Sequence, residues 1–483
     1  MRSSTLSLVR GGAKSMLAAA IVSTLAACAV GPDYQQPQVA TSDQFIEAGM
    51  AQFSSAEAEA EFWKQFDDAT LTDLIEQSLT ANHDLRIALA RLSEARALRG
   101  ESRLDLAPTV RLAAGATDVR TSERQSFPNA ARDQDFYEAG FDAVWELDFF
   151  GRVRRGIEAQ TALVQAAEAD FYNAQVMVTA EVARNYFELR GAQLRLAVAT
   201  RNAANQEESV RITSARLDAG RGTQLDVSRA QALLSATRAT IPDLQTTVTN
   251  AILRLGVLSG RSPDALLAKL TEAKPLPALP ATHSIGTPEL LLRRRPDVRV
   301  AERQLAASTA RIGVAVADLF PRVSFVGRWG FDAVDSQDLG NAGSEAFAFG
   351  PSIQWAAFDI ARVKQRITQR EAAAEAALAR YEQSVLRALE EADSSLTGYA
   401  QALTKQEHLR RSAAASTEAA VLARARFDSG VADFLTVLDA ERTMLEAEDR
   451  LAQSETQAAT ALLSMYKALG GGFRPLERAT VAR

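Results

Sequence analysis

The sequence predicts an α+β membrane protein built as a tandem duplication, with four transmembrane β-strands and two long coiled-coil helical hairpins in each chain. Three observations carry this reading. Matched residues recur at a fixed offset, four stretches of about ten residues alternate apolar and polar side chains, and two stretches of more than sixty residues contain no proline.

Composition sets the bounds. The chain has 483 residues, 54 Lys plus Arg against 60 Asp plus Glu, a net charge of −6 and 47% hydrophobic residues, the profile of an ordered protein. Acidic and basic residues interleave, so there is no electrostatic case for nucleic-acid binding. A single cysteine excludes an intramolecular disulfide framework and a Cys-rich metal site. Of the three histidines, His83 and His408 fall in helical stretches and are expected at the surface. No G-x-x-x-x-G-K-[ST], H-E-x-x-H or G-x-S-x-G is present, so neither an enzyme nor a cofactor site is expected.

The first element is a targeting segment. Arg2, Arg10 and Lys14 precede the apolar run Met16 to Ala27, too short to span a bilayer, which reads as a signal peptide over residues 1–27. The run ends in Leu25-Ala26-Ala27-Cys28, which looks like a bacterial lipoprotein processing site with acylation of the Cys28 thiol. In lipoproteins of this kind an alanine at position 29, where an aspartate would signal retention, goes with release to the outer membrane.

After an N-terminal extension over 28–65, one unit occurs twice, over 66–274 and 285–472. Trp145 and Trp355, Arg152 and Arg362, Glu181 and Glu391, and Gly220 and Gly430 are separated by 210 positions; Asp84 and Asp297, Leu92 and Leu305, and Pro108 and Pro321 by 213. A short indel in the loop between Pro108 and Trp145 accounts for the difference. Pro275, Pro277 and Pro280 mark a linker over 275–284, and 473–483 is a tail.

Strands are expected at about 108–118, 136–148, 321–333 and 346–358. Val110, Leu112 and Ala114 alternate with Arg111, Ala113 and Gly115; Phe141, Ala143 and Trp145 with Asp142 and Glu146; Val323, Phe325 and Trp329 with Ser324 and Arg328; Phe347, Phe349 and Ile353 with Ala348 and Ser352. A half-buried sheet in a soluble domain gives the same alternation. The strand length suits a tilted transmembrane strand, and Trp145 and Trp355 sit near strand ends, as barrel-interface aromatics would. Four strands cannot close a barrel, and open edges are not tolerated in lipid, so the chain must oligomerise. Two copies would give eight strands with a filled interior; three would give twelve and leave a lumen.

The hairpin helices occupy 152–258 and 361–469. Arg152 to Leu217 and Arg362 to Phe427 lack proline and would each be roughly 100 Å long as helices. Gly220-Arg221-Gly222 and Gly430-Val431-Ala432 supply the tight turns to the shorter partners Thr223 to Leu258 and Asp433 to Leu469. A solid coiled-coil stalk and a hollow tube fit this periodicity equally.

Several motifs then occur in order: Gly31-Pro32-Asp33-Tyr34, Phe62-Trp63-Lys64-Gln65-Phe66-Asp67-Asp68, Trp145-Glu146-Leu147-Asp148-Phe149-Phe150-Gly151-Arg152, Arg293-Arg294-Arg295-Pro296-Asp297, and Gly430 through Leu438-Asp439-Ala440. Together they resemble the TolC-like outer membrane factors, nearest the lipoprotein, NodT-type branch that serves drug efflux. The resemblance covers the chain from Cys28 to about Gly472. It implies a homotrimer whose twelve strands form one outer-membrane β-barrel continuous with a twelve-helix periplasmic barrel, an exit duct with no chemistry of its own. Expected partners are a periplasmic adaptor at the hairpin tips (Gly220, Gly222, Gly430), an inner-membrane pump of the resistance-nodulation-division class, and outer-membrane lipid. The resemblance also implies a periplasmic gate, with Asp439 as an inward acidic ring and Leu435 as an apolar ring one turn before it. Asp226 is expected as an acceptor, paired with Arg424 or Arg426, because Phe427 stands where some members have a donor tyrosine. Thr436 stands where some have a second aspartate. A duct for an ATP-driven protein or metal exporter, and a structural envelope lipoprotein, are the alternative functions.

Overall fold

The computed structural model describes residues 29–125, 127 and 131–474. The signal peptide, Cys28 and residues 475–483 lie outside the described residues. In chain order the elements are β1 (Phe53–Ser54), α1 (Ala69–Ala81), α2 (His83–Leu104), β2 (Thr109–Arg120), β3 (Asp133–Leu147), α3 (Arg152–Asp218), α4 (Gln224–Leu258), α5 (Leu267–Leu270), β4 (His283–Ser284), α6 (Pro288–Arg294), α7 (Pro296–Ala317), β5 (Arg322–Ala333), β6 (Glu345–Gln354), α8 (Ile360–Asp428) and α9 (Phe434–Ala468). They fall into two compact units. One holds the chain through Gln38 with Arg91–Glu168 and Val300–Glu382; the other holds Val39–Ala90, Ala169–Arg299 and the chain from Gln383 onward.

The first unit carries one antiparallel sheet in the order β2-β3-β5-β6. Residues opposite each other in such a ladder share a face. Leu112, Phe141, Trp329 and Phe347 form one cross-strand row, and Val110, Ala143, Gly327 and Phe349 another. The opposite face carries Arg111, Asp142 and Arg328 in one row, Ala113, Gly140 and Gly330 in the next, and Gly115, Glu138 and Asp332 in the one after. Arg328 bonds both Glu138 (2.9 Å) and Asp332 (2.7 Å). The expected alternation therefore survives across all four strands, and the apolar face is open: Leu112, Phe347, Phe349 and Ile353 are exposed. β2 and β6 each leave one edge without a partner among the described residues.

The duplication is visible in the ladder. β2 pairs Thr109 with Val144, and β5 pairs Arg322 with Gln354, the residues 213 and 210 positions further on. The same holds where strand meets helix. The Trp145 indole N–H donates to the Leu106 carbonyl at 2.9 Å, and Trp355 donates to the equivalent Leu319 carbonyl at 3.0 Å. The fourth strand ends at Gln354, short of the expected 358, because the Asp359 amide turns back to Ala356 and the Asp359 carbonyl accepts the first bonds of α8.

The second unit has an aromatic core. Phe62 stacks on Tyr466 with centroids 4.9 Å apart, Phe66 meets Phe187 edge-on at 4.9 Å, and Trp63 is fully buried. Asp68 caps α1 through the amides of Thr70 and Leu71 and accepts the Tyr186 hydroxyl at 2.7 Å. The end of the proline linker is not loose: His283 and Ser284 form β4, parallel to β1 of the N-terminal extension.

His283, 1% exposed, is the linker's anchor. The Tyr466 hydroxyl donates to Gln65 Oε1 at 2.6 Å, so it accepts from His283 Nδ1 at 2.9 Å; His283 Nε2 then accepts the Tyr399 hydroxyl at 3.0 Å. This relay needs a neutral ring, and burial lowers the His283 pKa to about 4. A lowered pKa gives stability that is present above the unfolded value and lost as pH falls through the folded one. We predict that the melting temperature of the purified protein drops between pH 6.5 and pH 4, with His283 accounting for up to about 3 kcal/mol. His283→Gln should flatten that slope.

Candidate periplasmic gate

Both hairpins turn by the same device. Gly220 (φ +71°) and Gly430 (φ +76°) occupy the left-handed region that side chains disfavour. Each follows a long helix and closes it with paired bonds: Gly220 N–H to Leu217 and Arg221 N–H to Arg216 in the first, Gly430 N–H to Phe427 and Val431 N–H to Arg426 in the second, all 2.8–2.9 Å. Gly222 is not part of this requirement. Its φ is ordinary, and its counterpart in the second copy is Ala432.

The next helices start with the same two residue types in exchanged places. In α4, Thr223 is the cap and Asp226 the residue three on, forming a capping box. In α9, Asp433 is the cap and accepts the Thr436 amide (3.0 Å) and hydroxyl (2.7 Å). The Thr436 hydroxyl bond, with the amide bond behind it, holds the Asp433 carboxyl below the usual carboxylate range. Asp433 thus caps α9 as Thr223 caps α4.

The expected pairing of Asp226 with Arg424 or Arg426 is not made within the chain. The Asp226 carboxylate is taken up by the amide and hydroxyl of Thr223, while Arg424 faces Glu441 at 3.5 Å. Phe427, which has no hydroxyl to donate, instead packs on Phe434 with centroids 5.4 Å apart. It receives the Arg216 guanidinium over its ring at 4.1 Å, a cation–π contact in place of the hydrogen bond.

Leu435 and Asp439 lie four residues apart on one exposed face of α9. Leu435 is 50% exposed and the Asp439 side chain 66%. Phe434, Val437 and Leu438 point the other way, into a small core with Ala230 and Phe427. The apolar stripe of α9 thus fixes which way Leu435 and Asp439 project. Arg442, one turn further on, bonds Asp439 at 2.8 Å, a partner that the i,i+3 spacing of the sequence could have supplied.

The first copy is tied to the second along α3 and α9. Arg195 pairs with Asp449 (2.7 Å), Arg201 and Asn202 with Glu448 (2.8 and 2.9 Å), and Ser209 with Glu441 (2.9 Å). Glu441 is 6% exposed, and burial raises its pKa. Sequence reading missed this residue, because one carboxylate on a charge-rich helix gives no signal of burial.

The family model described as outer membrane efflux protein matches this chain twice, over residues 74–261 and 287–471. The chain belongs to the outer membrane efflux protein family. The outer membrane protein OprJ of Pseudomonas aeruginosa is 32% identical over 459 residues, covering 94% of this chain and 95% of its own length. The solvent efflux pump outer membrane protein SrpC of Pseudomonas putida is 30% identical over 460 residues, covering 93% and 96%. The solved outer-membrane channel OprN is 45% identical and superposes with a TM-score of 0.86, covering 92% of this chain and 99% of that one. This protein therefore shares the TolC-like channel fold, acts in efflux and resides in the outer membrane. The sheet and helical hairpins described above are the parts of that fold.

One expectation follows for the tips. Thr223→Ala removes the cap of α4 and should cost about 1 kcal/mol locally, read as roughly fivefold faster amide exchange at residues 224–227.

Proposed function

We propose that three copies of this chain form the outer-membrane exit duct of a tripartite efflux system, closed at rest by the Leu435 and Asp439 rings. The observation that carries the reading is the projection of these two side chains, with three apolar neighbours anchoring the opposite face of α9. Three leucines and three carboxylates around a narrow axis exclude hydrated solutes, and each Arg442 offsets part of the charge. Three copies supply twelve strands, enough for a water-filled lumen lined by the Arg111, Asp142 and Arg328 rows, with Trp145 and Trp355 at the membrane interface.

The cargo is small and apolar or amphipathic, in keeping with the solvent-efflux relative. The glycine turns at 220 and 430 present the surface for a periplasmic adaptor, which couples the duct to an inner-membrane pump of the resistance-nodulation-division class. Acylation of Cys28 adds a lipid anchor in the outer membrane.

The gate is tested in planar bilayers. Asp439→Ala should pass more current than the wild-type trimer, by several-fold at low salt and less at high salt, since the removed interaction is electrostatic. Equal small currents from both proteins would remove Asp439 from the gate.

A further inference from the structure

The polar residues inside the second unit form a seam that no gate residue explains. Asn202, Gln206, Ser209 and Thr213 are each no more than 3% exposed and lie at the 4-3-4 spacing of a helix's buried face. That face of α3 meets α9 through Ser209 and Glu441 and through Asn202 and Glu448. Coiled-coil seams of this length are ordinarily apolar, and the same unit buries Tyr186 and Phe187 of α3 with Leu462 and Leu463 of α9 in its apolar core. Here several buried polar atoms have no partner among the described residues: Asn202 Oδ1, Gln206 Oε1 and Glu441 Oε2. A buried polar atom left unbonded costs far more than a made bond gains.

We propose that Glu441 poises the gate for opening. It sits two residues from Asp439, buried between α3 and α9 with one carboxylate oxygen bonded to Ser209 and the other unpartnered, so that separating the helices relieves what closure costs. The inference rests on the gate reading above and adds a residue that acts on the gate through α9. The groups facing Glu441 leave its charge poorly compensated. From α8 comes Arg424, at 3.5 Å beyond a well-formed bond. From α3 comes the neutral Ser209, whose neighbours Glu208 and Arg211 pair with each other on the exposed side. From α4 the charged side chain near this level, Arg238, is engaged by Glu207. On α9 itself Arg442 is held by Asp439.

The consequence is a pH dependence with a defined sign. Burial between α3 and α9 raises the Glu441 pKa, whereas water between separated helices would return it to the ordinary value. The state with the higher pKa is favoured by protons, so closure is firmest in acid and loosens as pH rises through the raised value.

The test is single-channel recording of full-length trimers at several pH values from about 4.5 upward. Wild-type leak should increase with pH. Glu441→Gln keeps the acceptor for Ser209 and removes the charge; it should lower the neutral-pH leak by roughly tenfold and abolish the pH slope. Glu441→Asp keeps a charge in the seam and should keep the slope. A Glu441→Gln channel with wild-type current and slope, or one that leaks more, overturns the proposal. Asp439→Ala, recorded in parallel, separates the two readings: raised leak there with no effect at Glu441 leaves the gate standing and removes only the poising role, and no effect at either removes both.

Discussion

Everything else in this protein follows from a sheet that is unfinished within one chain. β2 and β6 each present a row of backbone donors and acceptors with no partner among the described residues, and the adjoining face is a field of exposed Leu, Phe, Trp and Ile. In water such a surface would aggregate; in lipid the unpaired edges would cost several kcal/mol per group. Only edge-to-edge pairing with further copies removes both costs. The duplication makes that pairing possible, because β6 and β2 repeat the residues of β3 and β5, which already pair inside the chain.

Packing is uneven within the second unit. The core of the second unit has stacked and edge-on aromatics, a buried histidine relay and satisfied caps. Toward the glycine turns the packing shifts to alanine, small polar residues and ion pairs between α3 and α9. Elements that must move are drawn from the less stable part of a structure. Aromatic packing is concentrated around Phe62, His283 and Tyr466, and polar packing around Ser209 and Glu441.

Much of this was legible in the sequence, for physical reasons. A period of two forces alternate side chains to opposite faces, so the sharing of a face by Val110 and Leu112, or by Phe347 and Phe349, followed from spacing, whereas the Leu112 to Phe347 and Arg111 to Arg328 rows depend on the strand order and register that the ladder supplies. Glycines at 220 and 430 announced the turns because little else adopts a positive φ there. Pairings between distant residues were not legible. Asp226 was expected to reach an arginine, but a cap three residues away is nearer and needs no ordering of a long side chain. The sequence also did not announce that the Thr223/Asp226 and Asp433/Thr436 pairs cap their helices in reversed order. His283, in a linker, and Glu441, on a charged helix, carry no local sign of burial.

The most direct test of the account is whether β6 of one copy pairs with β2 of the next in the register of the internal repeat. Within the chain Asp142 lies opposite Arg328. Adding 210 to the first and subtracting 213 from the second places Ser352 opposite Gly115 of a neighbouring copy. Cysteines at Ser352 and Gly115 in the full-length protein, oxidised in intact outer membranes, should produce covalent dimers and trimers that reduction dissolves. Moving the second cysteine to Ala113 or Thr117 should largely abolish them. Equal cross-linking at all three positions, or none at Gly115 with efficient cross-linking at a slipped position, would contradict closure by the repeat.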